Sequence, residues 1–130
     1  MARIKTPQNL PRRERQILEI IYQLGEASVG DVLARLPDPP SYSAVRTIMR
    51  LLEQKGCLRH RRELTKFIYR PTLSRESASR SALVHLLKTF FSGSAPDAVA
   101  AILDVTSDDL TDDDLRRLEQ IVDKAKKEGQ

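Results

Sequence analysis

The side chains best suited to binding a polyanion are concentrated between residues 41 and 70. Val45, Ile48, Met49 and Leu52 recur at helical spacing and must face inward. The outward face is rich in arginine, hydroxyl and methyl groups. Arginine can bind the edge of guanine, hydroxyls can reach bases or phosphates, and methyl groups can contact the methyl of thymine. This outer face consists of Tyr42, Ser43, Ala44, Arg46, Thr47, Arg50 and Gln54. The residues expected to contact DNA are Ser41, Tyr42, Ser43, Ala44, Arg46, Thr47 and Arg50. We interpret Arg46 as the main base reader, although a solvated helix face has a similar composition.

A basic two-strand hairpin follows this helix. The segment LRHRRE leads to a tip at Leu64–Thr65, and KFIYR returns with Phe67 and Tyr69 on one face. Its cations are Arg59, Arg61, Arg62 and Lys66. Several cations on a short ribbon suit phosphate contact, which gives affinity and position without reading sequence. The ribbon alone is weak evidence, but a helix followed by such a ribbon is typical of a recognition helix and wing.

The preceding residues supply the two helices that position such a pair. Apolar residues recur at helical spacing from Pro11 to Leu24, and Gly25 ends that run. Ser28 opens a second short helix, with Asp31 in a capping-box position. Ser41 is placed to cap the third helix. Three helices and a hairpin in this order predict a winged helix-turn-helix.

The remainder of the chain predicts further helices, beginning near Ser74, Pro96 and Thr111. Thr111 is placed as the N-cap of the last helix, with Asp114 at the N3 position of a capping box. Their apolar stripes are too few to enclose a core, so we expect an intertwined homodimer to bury them. The residues expected at that interface are Leu83, Leu86, Leu87, Phe90, Phe91, Ile102, Leu103, Leu115, Leu118, Ile121 and Val122. The predicted fold class is mainly α, a winged helix-turn-helix domain followed by a helical dimerisation domain.

The charge distribution supports a division into two domains. Residues 1–72 carry 14 Lys and Arg against 7 Asp and Glu, whereas residues 73–130 carry 8 against 11. A basic N-terminal part joined to an acidic C-terminal part indicates a polyanion-binding module fused to a segment with another task. We therefore expect a DNA-binding domain over 1–72 and a dimerisation domain over 73–130.

Several function classes find no support in the sequence. His60 and His85 lie in unrelated contexts, and no phosphate loop, nucleophile constellation or metal-ligand spacing is present, so we expect no enzyme, metal or cofactor. Cys57 is interpreted as core filler. No apolar run reaches the roughly 18 residues of a membrane span, and the N-terminus lacks the apolar region of a signal peptide. The sequence thus predicts a cytoplasmic protein without a membrane association.

The run Tyr42-Ser43-Ala44-Val45-Arg46-Thr47-Ile48-Met49, with Glu53-Gln54-Lys55-Gly56 and Phe67-Ile68-Tyr69-Arg70-Pro71, resembles the penicillinase-repressor family (BlaI/MecI/CopY type). The opening Leu10-Pro11-Arg12-Arg13-Glu14 is similar to that family's first helix. The resemblance covers about residues 9–127 and is strongest over 41–71. It implies a homodimeric transcriptional repressor that binds an inverted-repeat, double-stranded DNA operator. It also implies release through a membrane-bound sensor peptidase or through a metal.

Some positions depart from the family pattern. Ala44 stands where the family often has Thr, and Leu51 where it often has Arg, so the operator sequence or the phosphate grip is expected to differ. The chain ends DKAKKEGQ without the Cys-x-Cys pair of the copper-responsive branch. The β-lactam branch is cut at an Asn–Phe bond, and the nearest equivalent here is Asp104–Val105.

Two other interpretations of the residues stay open at this stage. One is a ligand-sensing winged-helix regulator of another family, although the few aromatic residues offer no obvious pocket. The other is a winged-helix protein-interaction module, against which the outward Arg46 and Arg50 and the basic wing argue.

Overall fold

The computed structural model describes residues 10–129, and within that range the chain forms six helices and one antiparallel two-stranded sheet. The elements are α1 (Arg12–Leu24), α2 (Val29–Leu33), α3 (Tyr42–Gln54), β1 (Leu58–Glu63), β2 (Lys66–Pro71), α4 (Arg75–Phe90), α5 (Ala95–Val105) and α6 (Asp112–Glu128). This order confirms a mainly α fold with a winged helix-turn-helix in its N-terminal part.

Local capping determines where the short helices begin. Before α2, the Asp31 N–H donates to Ser28 Oγ (3.1 Å) and the Ser28 N–H donates to Asp31 Oδ2 (3.0 Å), which completes a capping box. Before α3, Ser41 Oγ accepts from the Ala44 N–H at 3.1 Å. Pro11 precedes α1 without a side-chain cap. The predicted starts of these three helices are confirmed.

A single hydrophobic core lies among α1, α2, α3 and the hairpin. Its most deeply buried side chains are Ile17, Leu18, Ile21, Val32, Val45, Met49, Leu52 and Leu58. Tyr69 of β2 covers this core, and its backbone exchanges two hydrogen bonds (2.8 and 2.9 Å) with Ala27, in the loop after α1. Cys57 is buried beside it, which agrees with its interpretation as core filler.

Polar contacts tie α1 to more distant parts of the same unit. Lys55 Nζ lies 2.6 Å from Glu14 Oε1, and the Glu14 side chain is only 8% exposed. The Tyr22 hydroxyl donates to the carbonyl of Leu73 at 2.8 Å, just before α4. These bonds hold both ends of the hairpin region against α1, so the hairpin leaves the core at a defined angle.

The chain divides into two compact units between Leu86 and Leu87, a point within α4. The domain boundary at residue 72 stays a prediction. In the second unit, α6 begins with the predicted capping box: the Asp114 N–H donates to Thr111 Oγ1, and the Thr111 N–H donates to Asp114 Oδ2, both at 3.1 Å. Acidic side chains fill the first turn of α6 and lysines its last turn, as the helix dipole favours.

Candidate nucleic-acid interface

The exposed face of α3 is set by its buried face. Val45, Met49 and Leu52 are each 0% exposed, and this fixes the rotation of the helix about its axis. The side chains left on the outside include Arg46 and Arg50. The other exposed members of the predicted set are Ser41, Tyr42, Ser43 and Thr47, whereas Ala44 is half-buried.

The hydroxyls at the start of α3 already make bonds within the helix. Ser41 Oγ lies 3.3 Å from Ser43 Oγ, and Thr47 Oγ1 donates to the carbonyl of Ser43 at 2.9 Å. Thr47 Oγ1 keeps its acceptor sites, since a hydroxyl has two acceptor sites and one donor. These bonds orient the three hydroxyls before any ligand arrives.

The strand register sorts the wing cations into two groups. Arg62 pairs with Phe67 and His60 with Tyr69, so these side chains share the strand face that carries the buried Tyr69. On the opposite face, Arg59 pairs with Arg70. Arg61 pairs with Ile68 on that same opposite face, as does Lys66 with Glu63 at the end of the hairpin, where Lys66 nevertheless borders the cleft beside α3. The alternation thus directs Arg62, and neither Arg59 nor Arg61, toward the side of the hairpin that faces α3.

A cleft of about 500 Å³ lies between the N-terminal half of α3 and the wing. Three cations line it: Arg46 from the helix, and Arg62 and Lys66 from the hairpin. The remaining lining residues are Ser28, Val29, Gly30, Tyr42, Thr65, Phe67 and Tyr69. No carboxylate is among them. A concave site with converging cations and aromatic walls is suited to a phosphate backbone that passes between helix and wing.

Charged side chains of α3 lie close enough to Tyr69 of β2 to act on its hydroxyl. Burial raises the pKa of the Tyr69 hydroxyl, and the Glu53 carboxylate raises it further. The positive charges of Arg50 and Arg46 act in the opposite direction. Side chains of α3 and β2 therefore share one electrostatic environment, so a ligand bound in the cleft would contact both elements.

The sequence profile of the family described as penicillinase repressor matches residues 10–124. The chain belongs to the penicillinase repressor family. No curated protein matches the chain by sequence. Members of this family are regulators of transcription, so the chain is a repressor whose winged helix is a DNA-binding domain, and its predicted family is confirmed.

Arg61 of the repressor is engaged by two carboxylates. Its Nη1 lies 2.6 Å from Glu26 Oε2, its Nη2 lies 3.0 Å from Glu26 Oε1, and Nη2 is also 3.0 Å from Glu63 Oε2. The hydrogen bonds to Glu26 and then Glu63 raise the pKa of the Arg61 guanidinium. The same bond lowers the pKa of Glu26. The charge of Arg61 is thus compensated within the protein, and Arg61 does not line the cleft.

A contact between α3 and β1 was not foreseen from the sequence. Glu53 accepts from the His60 N–H (3.1 Å to Oε2), and His60 Nδ1 lies 2.7 and 2.8 Å from its two oxygens. The His60 ring stacks on Phe67 at 4.4 Å between centroids. Glu53 and His60 flank the turn at Gly56, whose φ of +85° allows the sharp reversal. No local sequence signal pairs them, because a glutamate and a histidine on either side of a turn are both ordinary surface residues.

The predicted dimerisation residues are mostly exposed in the single chain. Phe90 is 72%, Ile121 56% and Ile102 55% exposed. Leu83, Leu86, Leu115 and Val122 are also exposed, and Leu87, Phe91, Leu103 and Leu118 are half-buried. Within the described part of the unit that begins at Leu87, Ala98 is the only buried hydrophobic residue. This unit does not bury its own apolar stripes.

Residues 10–129 contain no group of three or more His, Cys, Asp or Glu side chains arranged to hold a metal ion. None of the helices in this range is long and apolar enough to cross a membrane.

Proposed function

We propose that this repressor acts as a homodimer on an inverted-repeat, double-stranded DNA operator. In each protomer α3 would enter the major groove while the wing holds the adjacent backbone. The observation that carries this proposal is the convergence of Arg46, Arg62 and Lys66 on one carboxylate-free cleft beside the exposed face of α3. Family membership supports the DNA-binding role, and the cleft supports the way in which it is performed.

Within this proposal, Arg46 reads base edges. It is exposed near the N-terminal end of α3, and its guanidinium matches the paired O6 and N7 acceptors of guanine. Its neighbours Ser41, Tyr42, Ser43, Thr47 and Arg50 share base and backbone contacts, and the half-buried Ala44 offers a methyl group. Since Thr47 is already bonded to the carbonyl of Ser43, its methyl and its free lone pair are the groups presented to DNA.

The proposed phosphate contacts are divided unequally among the wing cations. Arg62 and Lys66 line the cleft and would bind the backbone directly. Arg59 lies on the other strand face and would widen the positive field around the wing. Arg61 would bind phosphate only by giving up Glu26 and Glu63, so its main contribution is to hold the wing against the loop after α1.

The homodimer is proposed from the apolar stripes of the C-terminal helices. Exposed apolar side chains such as Phe90, Ile102 and Ile121 favour burial against another surface. A second copy of the chain can bury them in a two-fold symmetric interface. Two winged helices related by a two-fold axis would then contact half-sites one or more helical turns apart. An inverted-repeat operator is the DNA counterpart of that symmetry.

A membrane-bound sensor peptidase as upstream partner is proposed from the family resemblance alone. The β-lactam branch is cut at an Asn–Phe bond, and this chain has Asp104–Val105 at the nearest position, where α5 ends. Val105 is 83% exposed, so the side chain at this bond is accessible from solvent.

Binding to duplex DNA as a function of salt tests the proposed function. The wild-type protein should bind, and its affinity should fall linearly in a plot of log K against log salt. Arg62→Ala should reduce that slope by about one, whereas Arg61→Ala should change it less, because its guanidinium is held by Glu26 and Glu63 and does not line the cleft. Lys127→Ala, an exposed lysine of α6, is the matched control and should behave as wild type. Absence of duplex binding at low salt would refute the proposal.

A further inference from the structure

The tip of the wing has an unusual combination of residue type and backbone conformation. Glu63 and Lys66 pair at the end of the hairpin, which leaves Leu64 and Thr65 as a two-residue loop. Leu64 has a φ of +57° and its side chain is 93% exposed. Two-residue hairpin loops favour Asn, Asp or Gly where φ is positive, because a β-carbon is strained in the left-handed region.

Neither the fold nor solubility explains a leucine at this position. The side chain packs against nothing, since almost all of its surface is exposed, so it adds no core stability. Strain that contributes nothing to packing is characteristic of functional positions. An isolated exposed leucine is ordinary on a protein surface. A leucine that is both exposed and in a strained backbone conformation needs a functional explanation.

The flanking residues indicate what Leu64 would meet. Arg62 precedes it by two positions and Lys66 follows it by two, and both line the cleft beside α3. If these cations hold the backbone strand that passes between α3 and the wing, the tip of the hairpin lies on the far side of that strand from α3. Because α3 is proposed to occupy the major groove, the groove on that far side is the minor groove. The minor groove is the narrow one, with walls formed by deoxyribose C–H groups, and proteins insert leucine there as an apolar wedge at flexible base steps.

We propose that Leu64 is a minor-groove contact that determines base preference beside the sequence read by α3. This inference rests on the proposed operator binding and adds a specificity-determining residue to it. The contact is apolar, so it favours base steps that unstack easily, such as pyrimidine–purine steps, over stiff ones. It adds to the phosphate contacts without adding charge.

The test uses the full-length protein and a duplex that the wild type recovers by selection from a random pool. Leu64→Asn removes the apolar group with a residue that tolerates positive φ, and it should raise Tm by a few degrees because the turn is relieved. Its affinity for the selected duplex should nevertheless fall about tenfold, the factor that burial of one aliphatic side chain supplies. Leu64→Met retains an apolar side chain and should bind within about twofold of wild type.

A second selection distinguishes a base-reading role from a general loss of affinity. With Leu64→Asn, the preference at the bases next to the α3 half-site should disappear, while the preference within that half-site should persist. If Leu64→Asn selects the same sequences and binds them as tightly as wild type, Leu64 is an ordinary turn residue and the inference is wrong. If the wild type itself recovers no sequence and shows no salt-dependent binding, the proposed function fails instead.

Discussion

The carboxylate of Glu53, near the end of α3, holds His60 of β1 through both the backbone N–H and the imidazole Nδ1. This pair connects the helix proposed to enter the major groove with the strand that begins the wing. The stack of His60 on Phe67 extends the connection to β2. Glu53 is thus the link that joins the last turn of α3 directly to the wing, beside the contacts that hold the hairpin to α1 and to the loop after it.

Replacement of Glu53 should affect DNA affinity without altering base preference. Glu53→Ala removes the acceptor for the His60 N–H and the partner of its ring, so the wing loses its direct link to α3, and the free energy of unfolding should fall by about 1–2 kcal/mol. Glu53→Gln keeps one oxygen for the His60 N–H and should lie between Ala and wild type. Anisotropy titrations and urea denaturation measure the two effects; a Glu53→Ala protein with wild-type affinity would show that the wing is positioned by other contacts.

The ion pair between Glu14 and Lys55 should be one of the more costly polar contacts to break. The atoms are 2.6 Å apart, and the side chains are 8% and 26% exposed. Glu14→Ala leaves the Lys55 ammonium in a partly buried position without its partner, so a loss of roughly 2–3 kcal/mol is expected. Urea denaturation measures this loss.

Two comparisons test the cause of that loss. The exposed pair Lys124–Glu128, 3.9 Å apart on α6, is a control for which Glu128→Ala should cost less than about 0.5 kcal/mol. The double variant Glu14→Leu/Lys55→Met should be more stable than Glu14→Ala, because it leaves no buried charge. Equal losses from Glu14→Ala and Glu128→Ala would contradict the special role of this pair.

The capping box of α2 should make stability depend on acid pH. The pKa of Asp31 lies below its ordinary value, because its carboxylate accepts first from the Ser28 backbone N–H and then from the Ser28 hydroxyl. A depressed folded-state pKa gives a contribution that is complete above the unfolded-state pKa and is lost as pH falls through the folded-state value. The wild type should therefore lose this stability as the pH falls below 3.8, the ordinary pKa of an aspartate side chain.

Asp31→Asn isolates this effect from other carboxylates. At neutral pH the variant should be less stable than wild type, and the difference between the two should shrink as the solution is acidified. Urea midpoints at a series of pH values provide the measurement. A difference that stays constant through the acid range would mean that ionisation of Asp31 does not contribute.

A charge on the apolar stripe of α6 should prevent dimerisation. Leu118 is half-buried in the single chain and lies within the stripe proposed to meet the second copy. Leu118→Asp should give monomers in sedimentation experiments, with much weaker binding to a two-half-site duplex, since the second half-site no longer adds to affinity. Lys127→Asp changes the charge on another part of α6 and should remain dimeric. If the Leu118→Asp protein remained dimeric, the dimer interface would not include this part of α6.

The sequence predicted those features that depend on neighbouring residues. Capping at Ser28, Ser41 and Thr111 is local, and each cap is present in the structure. The hairpin was predicted with its tip at Leu64–Thr65 because alternation and turn position are also local. Helical spacing similarly identified the buried face of α3, since the period of a helix determines which side chains share a face.

The contacts that shape the site were not predictable in the same way. Glu14–Lys55 and Glu26–Arg61 join residues far apart in the chain, and each partner alone has the character of a solvated surface residue. The wing was predicted as a uniform set of cations. Strand parity would have separated Arg62 from Arg61, but only the tertiary structure shows which strand face is turned toward α3.

In the proposed interface, one cleft combines a base reader on α3 with a phosphate anchor on the wing, and the variants Arg46→Ala and Arg62→Ala separate these two roles. Affinities of both variants and of wild type would be measured on the selected duplex and on an unrelated duplex at one salt concentration. Arg46→Ala should lose about 1–3 kcal/mol of discrimination between the two duplexes, whereas Arg62→Ala should weaken both about equally and leave their ratio intact. Equal effects of the two variants on that ratio would contradict the division between reader and anchor.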